Sequence, residues 1–142
     1  MFADASFADE YFAKRAFAGA WQTAEGKEGL LNLASDLITE YCQFYDEYGN
    51  PCQYADEDAP EWLKRATAEQ ALYLLNLGKD PTQADKKTTL GIIRTDDGTT
   101  FDKSFAADII GPLAAKMITR NGGEILPGAT AASGGSGGYF SK

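Results

Sequence analysis

Between Leu30 and Tyr45, apolar residues recur at three- and four-residue steps: Leu30, Ala34, Leu37, Ile38, Tyr41 and Tyr45. That spacing lines one face of an amphipathic helix, and the rest of the chain must supply a surface to cover it. Thr23 is the expected N-cap, and the helix is expected to run to about Tyr45 or Tyr48. Gly49-Asn50-Pro51 then stops it, because glycine accepts a left-handed cap and proline cannot continue the ladder. Gly26 and Gly29 weaken the first turns, which lets the start slip by a few residues. Cys42 falls on this helix and Cys52 in the loop that follows.

Three further helices fit the pattern. Ser6 can cap one from about Phe7 to Ala18, with Phe7, Tyr11 and Ala18 at helical spacing and Gly19 loosening the chain before Trp21. The acidic stretch from Cys52 to Asp58 reads as a loop. Asp58 or Ala59 then caps a helix with Pro60 in its first turn; Trp62, Leu63, Ala66, Ala71, Leu74 and Leu75 give it an apolar face. Leu77-Gly78 closes it, and Asp80-Pro81 supports the stop. A last helix spans Pro112 to Arg120, ended by Asn121-Gly122-Gly123. Before it, β-branched residues flank Asp96-Asp97-Gly98, which predicts a hairpin near 88–105. After Pro127 the chain is almost entirely Gly, Ala and Ser before Tyr139-Phe140. The expected architecture is a mainly α domain over 1–126, of about four helices with one inserted β-hairpin. A flexible Gly/Ser-rich arm is expected over 127–142.

The residue inventory narrows the chemistry. A chain of 142 residues suits one domain. Its net charge of −8 opposes simple attraction to nucleic acid or anionic membrane. Histidine is absent, which removes the commonest general base, the commonest metal ligand and any Ser–His or Cys–His nucleophile pair. Two cysteines without CxxC spacing make no disulfide scaffold and are expected to be reduced. No apolar run reaches the ~20 residues of a membrane span. Met1-Phe2-Ala3-Asp4 carries no basic n-region, so the chain reads as cytoplasmic at synthesis.

Each candidate constellation has a plain explanation beside the functional one. Asp56-Glu57-Asp58 and Glu61 lie where carboxylates favour a helix N-terminus, and their spacing matches no calcium loop. Asp96-Asp97-Gly98 is turn chemistry. The glycine-rich tail lacks the Gly-Lys-Ser/Thr ending of a phosphate cradle. It reads either as a linker or as an arm ordered by a partner, with Tyr139 and Phe140 as anchors. Tyr41, Phe44, Tyr45 and Tyr48 could stack on single-stranded bases, but with Glu40, Asp46 and Glu47 as neighbours they read as core or subunit interface. No catalytic set, cofactor site or metal site emerges, and the chain reads as a non-enzyme.

The string Ala5-Ser6-Phe7-Ala8-Asp9-Glu10-Tyr11-Phe12-Ala13, followed by Trp21, resembles the opening of tailed-phage head-to-tail adaptor proteins, also called connector or head-completion proteins. Lys27 to Ile38 is similar to their long second helix. Pro60-Glu61-Trp62-Leu63-Lys64-Arg65-Ala66, continuing to Ala71-Leu72-Tyr73-Leu74-Leu75, matches most closely. A hairpin, Ile109-Ile110-Gly111-Pro112-Leu113 and a short helix follow in similar order. Some similar sequences are described as resembling a replication protein that binds single-stranded DNA. The segment Tyr45 to Ala59 departs from the Trp-Pro loop of related members, and the glycine-rich tail is a second departure.

The resemblance implies a homo-oligomeric ring of about 12 copies, docked between a portal protein and a tail or stopper protein. Packaged DNA would pass through its channel without sequence-specific contact, and no membrane would be involved. The chain would reside at the head–tail junction of the virion, and in host cytoplasm during assembly. The alternative is a single-stranded DNA-binding replication accessory. Strand edges pair readily with other chains, so Leu90, Ile92 and Ile93 on one strand and Thr99, Phe101 and Phe105 on the other are the expected subunit or partner contacts. Tyr139 and Phe140 join them through the arm.

Overall fold

The helix Glu61–Leu77 is buried nearly all round over its middle: Leu63, Ala66, Thr67, Ala68, Glu69, Gln70, Ala71 and Leu72 are all inaccessible. The computed structural model describes residues 1–82 and 108–129. In chain order the helices are α1 (Ala5–Ala13), α2 (Gly19–Gln22), α3 (Lys27–Tyr41), α4 (Glu61–Leu77) and α5 (Pro112–Arg120). The strands are β1 (Cys42–Tyr45), β2 (Pro51–Cys52) and β3 (Glu124–Ile125), and a 3-10 turn covers Asp56–Asp58. The described chain is thus mainly helical, as expected from the sequence, and it carries a small antiparallel sheet that was not expected from these residues. The hairpin expected near 88–105 and the arm beyond Ala129 lie outside the described residues.

α4 sits at the centre, with α3 along one side, α5 along another, and α1 and α2 across it. Small residues let the neighbours approach: Ala66, Ala68 and Ala71 are fully buried beside Leu31, Ile38 and Ile118. A helix with no solvent face at its middle must satisfy its polar side chains internally. Thr67 does so on its own helix, donating to the Leu63 carbonyl at 2.8 Å. Gln70 reaches instead to the segment entering α5. Its Nε2 donates to the Ile109 carbonyl at 2.8 Å, and its Oε1 accepts from the Gly111 amide at 2.8 Å. Tyr73 adds a bond from its hydroxyl to the Asp108 carbonyl at 2.6 Å. Gly111 is required by space: a Cβ there would meet the Tyr73 ring at 2.6 Å.

Several sequence expectations are corrected. Asp4, not Ser6, caps the first helix, accepting from the Phe7 amide at 2.8 Å, and α1 ends at Ala13 rather than Ala18. The chain turns there so that Ala18 and Trp21 bury against Phe12, whose ring lies 5.2 Å from the indole. α3 starts at Lys27 rather than after Thr23, because Gly26 takes the left-handed conformation, φ 71°, at the N-cap. The same helix stops at Tyr41, and Cys42 opens β1 instead of lying on a helix. Gly49-Asn50-Pro51 consequently forms the turn into β2 rather than a helix stop, with Asp46 Oδ1 accepting from the Tyr48 and Asn50 amides. Cys52 belongs to β2, not to a loop. Pro60, expected in the first turn of α4, occupies its N-cap, and α4 starts at Glu61. α5 matches the expected Pro112–Arg120 span.

The sheet has the order β2-β1-β3. Phe44 pairs with Cys52 and Tyr45 with Pro51, while Cys42 pairs with Ile125 and Gln43 with Glu124. Pro51 is tolerated because β2 is an edge strand. The inward side chain Phe44 joins Tyr54 and Trp62 in an aromatic cluster with centroids 5.4–6.2 Å apart. Ala129, assigned from sequence to the arm, is fully buried, and its carbonyl accepts from the Ile109 and Ile110 amides at 2.7 and 3.2 Å.

Replacing Gln70 by Ala leaves a buried amide and a buried carbonyl unpaired, each worth roughly 1–3 kcal/mol. Urea denaturation of Gln70→Ala is expected to show a loss of about 3 kcal/mol. A shift below 0.5 kcal/mol would mean that the 109–111 segment is not held by this side chain.

Candidate functional site

A cleft runs between α1 and the N-terminal half of α4. It encloses about 410 Å³ and is lined by Phe7, Glu10, Tyr11, Lys14, Glu61 and Arg65, with Arg15 at its end. Phe7 and Tyr11, one helical turn apart, form its aromatic floor, stacked at 6.3 Å with 8° between ring planes. Lys64 lies over the Phe7 ring at 5.8 Å. Glu61 and Arg65 pair across one turn of α4 at 2.7 Å. A smaller hollow of about 170 Å³ lies on the other side of Arg15, between α4 and the start of α5.

Glu69 closes the seam between the two hollows. Its side chain is 2% exposed, and its carboxylate accepts from the Tyr11 hydroxyl at 2.7 Å and from Arg15 Nε and Nη2 at 2.5 and 2.8 Å. The two-pronged guanidinium contact is the strong form of such a pair, and it holds α1 to α4. Arg15 Nη1 also donates to the Ala16 carbonyl. The pairing with Glu69 raises the Arg15 pKa further and keeps the side chain charged. Burial, and then the bond to Glu69, push the Tyr11 phenol up to about 12. With three donors on its carboxylate, Glu69 is committed to structure.

Because the folded pKa of Tyr11 exceeds its unfolded value of 10.0, its contribution is complete below pH 10. It is lost as pH climbs through 12. Tyr11→Phe is expected to cost about 1.5 kcal/mol at pH 7 and to make the decline in melting temperature between pH 10 and 12 shallower than in the parent. An identical decline would remove Tyr11 as its source.

Phe17 stands just beyond Arg15, 99% exposed, with φ 61°. A bulky side chain in the left-handed region costs about 1–2 kcal/mol, and no packing among the described residues offsets it here. Phe17→Gly is expected to stabilise the fold by about 0.5–1 kcal/mol, the strain relieved less the extra unfolded-state entropy of glycine. A lower melting temperature for this variant would show that the ring packs within the chain after all.

A second exposed aromatic lies at the β1–β2 turn, where Tyr48 is 79% exposed beside Asp46 and Glu47. The expected aromatic patch is divided among different environments: Phe44 is core, Tyr41 is half-buried, and Tyr45 donates to Glu124 at 2.8 Å. Asp56 of the acidic turn pairs with the Met1 ammonium at 2.6 Å. Cys42 and Cys52 are free thiols, and burial pushes Cys42 up to about 12, which keeps it protonated and unreactive. Among the described residues no group of three or more Cys, Asp or Glu is placed to hold a metal ion, and no helix is long and apolar enough to cross a membrane.

The expected contact residues Leu90, Ile92, Ile93, Thr99, Phe101, Phe105, Tyr139 and Phe140 all lie outside the described residues. Sequence reading missed Glu69 and Phe17. The only signal for Glu69 was a carboxylate among alanines in the middle of an apolar helix. Phe17 gave none, because a left-handed aromatic has no local signature. Compared with protein-family models, curated proteins and solved structures, the chain matches none.

Proposed function

We propose that this chain is a structural subunit of a tailed-phage head-to-tail adaptor, forming a ring between the portal and the tail or stopper that extends the DNA channel. The observation that carries this reading is the order of the landmark residues along a helical domain. Phe12 and Trp21 join α1 to α2, Pro60 and Trp62 open the central helix, and Gly111-Pro112 opens the last one. These are the positions on which the resemblance to adaptor proteins rests. The commitment of Glu69 to Tyr11 and Arg15 fits a scaffold rather than a proton-transfer centre. Such a subunit needs no cofactor, and it acts in the virion after assembly in host cytoplasm.

A second reading, a single-stranded DNA-binding accessory, draws on Phe7, which has Lys64 over its ring and shares a cleft with Lys14, since stacking platforms are set among cations. Its mark would be oligonucleotide binding that weakens steeply with salt.

Quantitative mass spectrometry of purified particles of the encoding virus is expected to find about 12 copies of this chain per particle. Its absence from clean particles would exclude the adaptor role.

A further inference from the structure

We propose that the turn between β1 and β2 of one copy docks into the cleft between α1 and α4 of a second copy, so that copies join head to tail. This contact rests on the adaptor-ring reading and names the surfaces that build the ring. With a net charge of −8, two copies repel unless a local pair of surfaces attracts. The chain provides such a pair. From residue 28 to 63 it carries no Lys or Arg, and the β1–β2 turn at the tip of this acidic block presents Asp46 and Glu47. The cleft gathers Lys14, Arg15, Lys64 and Arg65. Arg65 and Arg15 are paired with Glu61 and with Glu69 behind the cleft, so the charges outside those pairs are Lys14 and Lys64 against Glu10. Neither Lys14 nor Glu47 has an ion pair among the described residues.

The apolar parts match as well. Tyr48 projects from the acidic turn at 79% exposure, and the cleft offers the stacked Phe7 and Tyr11 rings. An aromatic ring entering an aromatic-floored cleft, with Lys14 and Lys64 to meet the acidic turn, is an interface anchor of ordinary chemistry. The two surfaces are separate. Trp62 turns toward Phe44 of β1 and Tyr54 just after β2, whereas Glu61 and Arg65 of the same helix line the cleft. A contact between two different patches is heterologous, and its repetition closes a ring when the rotation permits. The electrostatic part also predicts salt sensitivity, because exposed charges are screened beyond roughly 10 Å at 0.1 M.

The test is sedimentation velocity of the full chain over a concentration series at low and high salt, with surface variants that leave the core untouched. Self-association is expected at low salt and expected to weaken as salt rises. Lys14→Glu and Glu47→Lys, made singly, are expected to weaken it about tenfold, and the chain carrying both is expected to recover. Tyr48→Ala is expected to weaken it without altering the circular dichroism spectrum. Association indifferent to all three changes would overturn this contact while leaving a ring built on other surfaces standing. A parent chain that stays monomeric at low salt overturns the contact outright, and the particle copy number then decides separately whether the adaptor reading survives.

Discussion

A helix buried nearly all round at its middle must find partners for the polar side chains it carries there, and α4 finds them in segments far along the chain. Glu69 takes Tyr11 and Arg15 from the start of the sequence, whereas Gln70 takes Ile109 and Gly111 from near its end. Adjacent residues on one helix thus tie down opposite ends of the protein. Neither polar group could be buried without its partners, since an unpaired carboxylate or amide in that position costs several kcal/mol, by about 1–3 for the amide alone. Dispersion contacts of Ala66, Ala68 and Ala71 supply the close approach, but the polar pairs decide which segment sits where. Leu31 or Ile118 could slide along an alanine face; the fork of Arg15 on Glu69 cannot.

The sheet performs the same task at the other end of α4. β1 follows α3 directly and takes two short partners, one a turn away and one from the end of the described chain. Leu126 donates to the Tyr41 carbonyl at 2.8 Å, continuing the pairing past β3 and covering the end of α3. The Phe44–Tyr54–Trp62 cluster then fixes the sheet against the start of α4. The charged turn beyond Tyr45 is held out from the body by a framework of aromatic rings, and its Asp46 side chain is spent on shaping the turn. Glu47 and Tyr48 are left to face outward.

How much of this could be read from the residues depends on how local the deciding interaction is. α5 was legible because Pro112 and Gly122 mark both ends within the helix's own neighbourhood. The end of α4 was legible for the same reason, with Gly78 as its C-cap. α3 was overextended because Tyr41 and Tyr45 continue the four-residue step, and only pairing with residues 124–125 and 51–52 makes Cys42–Tyr45 a strand. A two-residue partner some eighty positions away leaves no periodic trace. Capping failed at the first helix because Asp4 and Ser6 are both good caps, and the choice turns on whether Ala8 and Phe12 reach the core. The expected contact residues were chosen for strand edges in 88–105 and for the arm, whereas the described surface features are a strained phenylalanine and a segregation of charge.

That segregation was present in the sequence as a stretch from 28 to 63 without a single cation, yet composition alone could not say what it would face. A net charge averages the chain; the fold separates it. The stretch without cations runs through α3, the turn and the 3-10 segment, while α1 and α4 bring Lys14, Arg15, Lys64 and Arg65 together around two stacked rings. Residues fifty positions apart become neighbours in the cleft only because Glu69 draws Arg15 onto α4. The buried ion pair that secures the fold is therefore also what holds the segment carrying Lys14 against α4. Near the end of that seam the chain accepts a left-handed Phe17, a conformation glycine would adopt at lower cost.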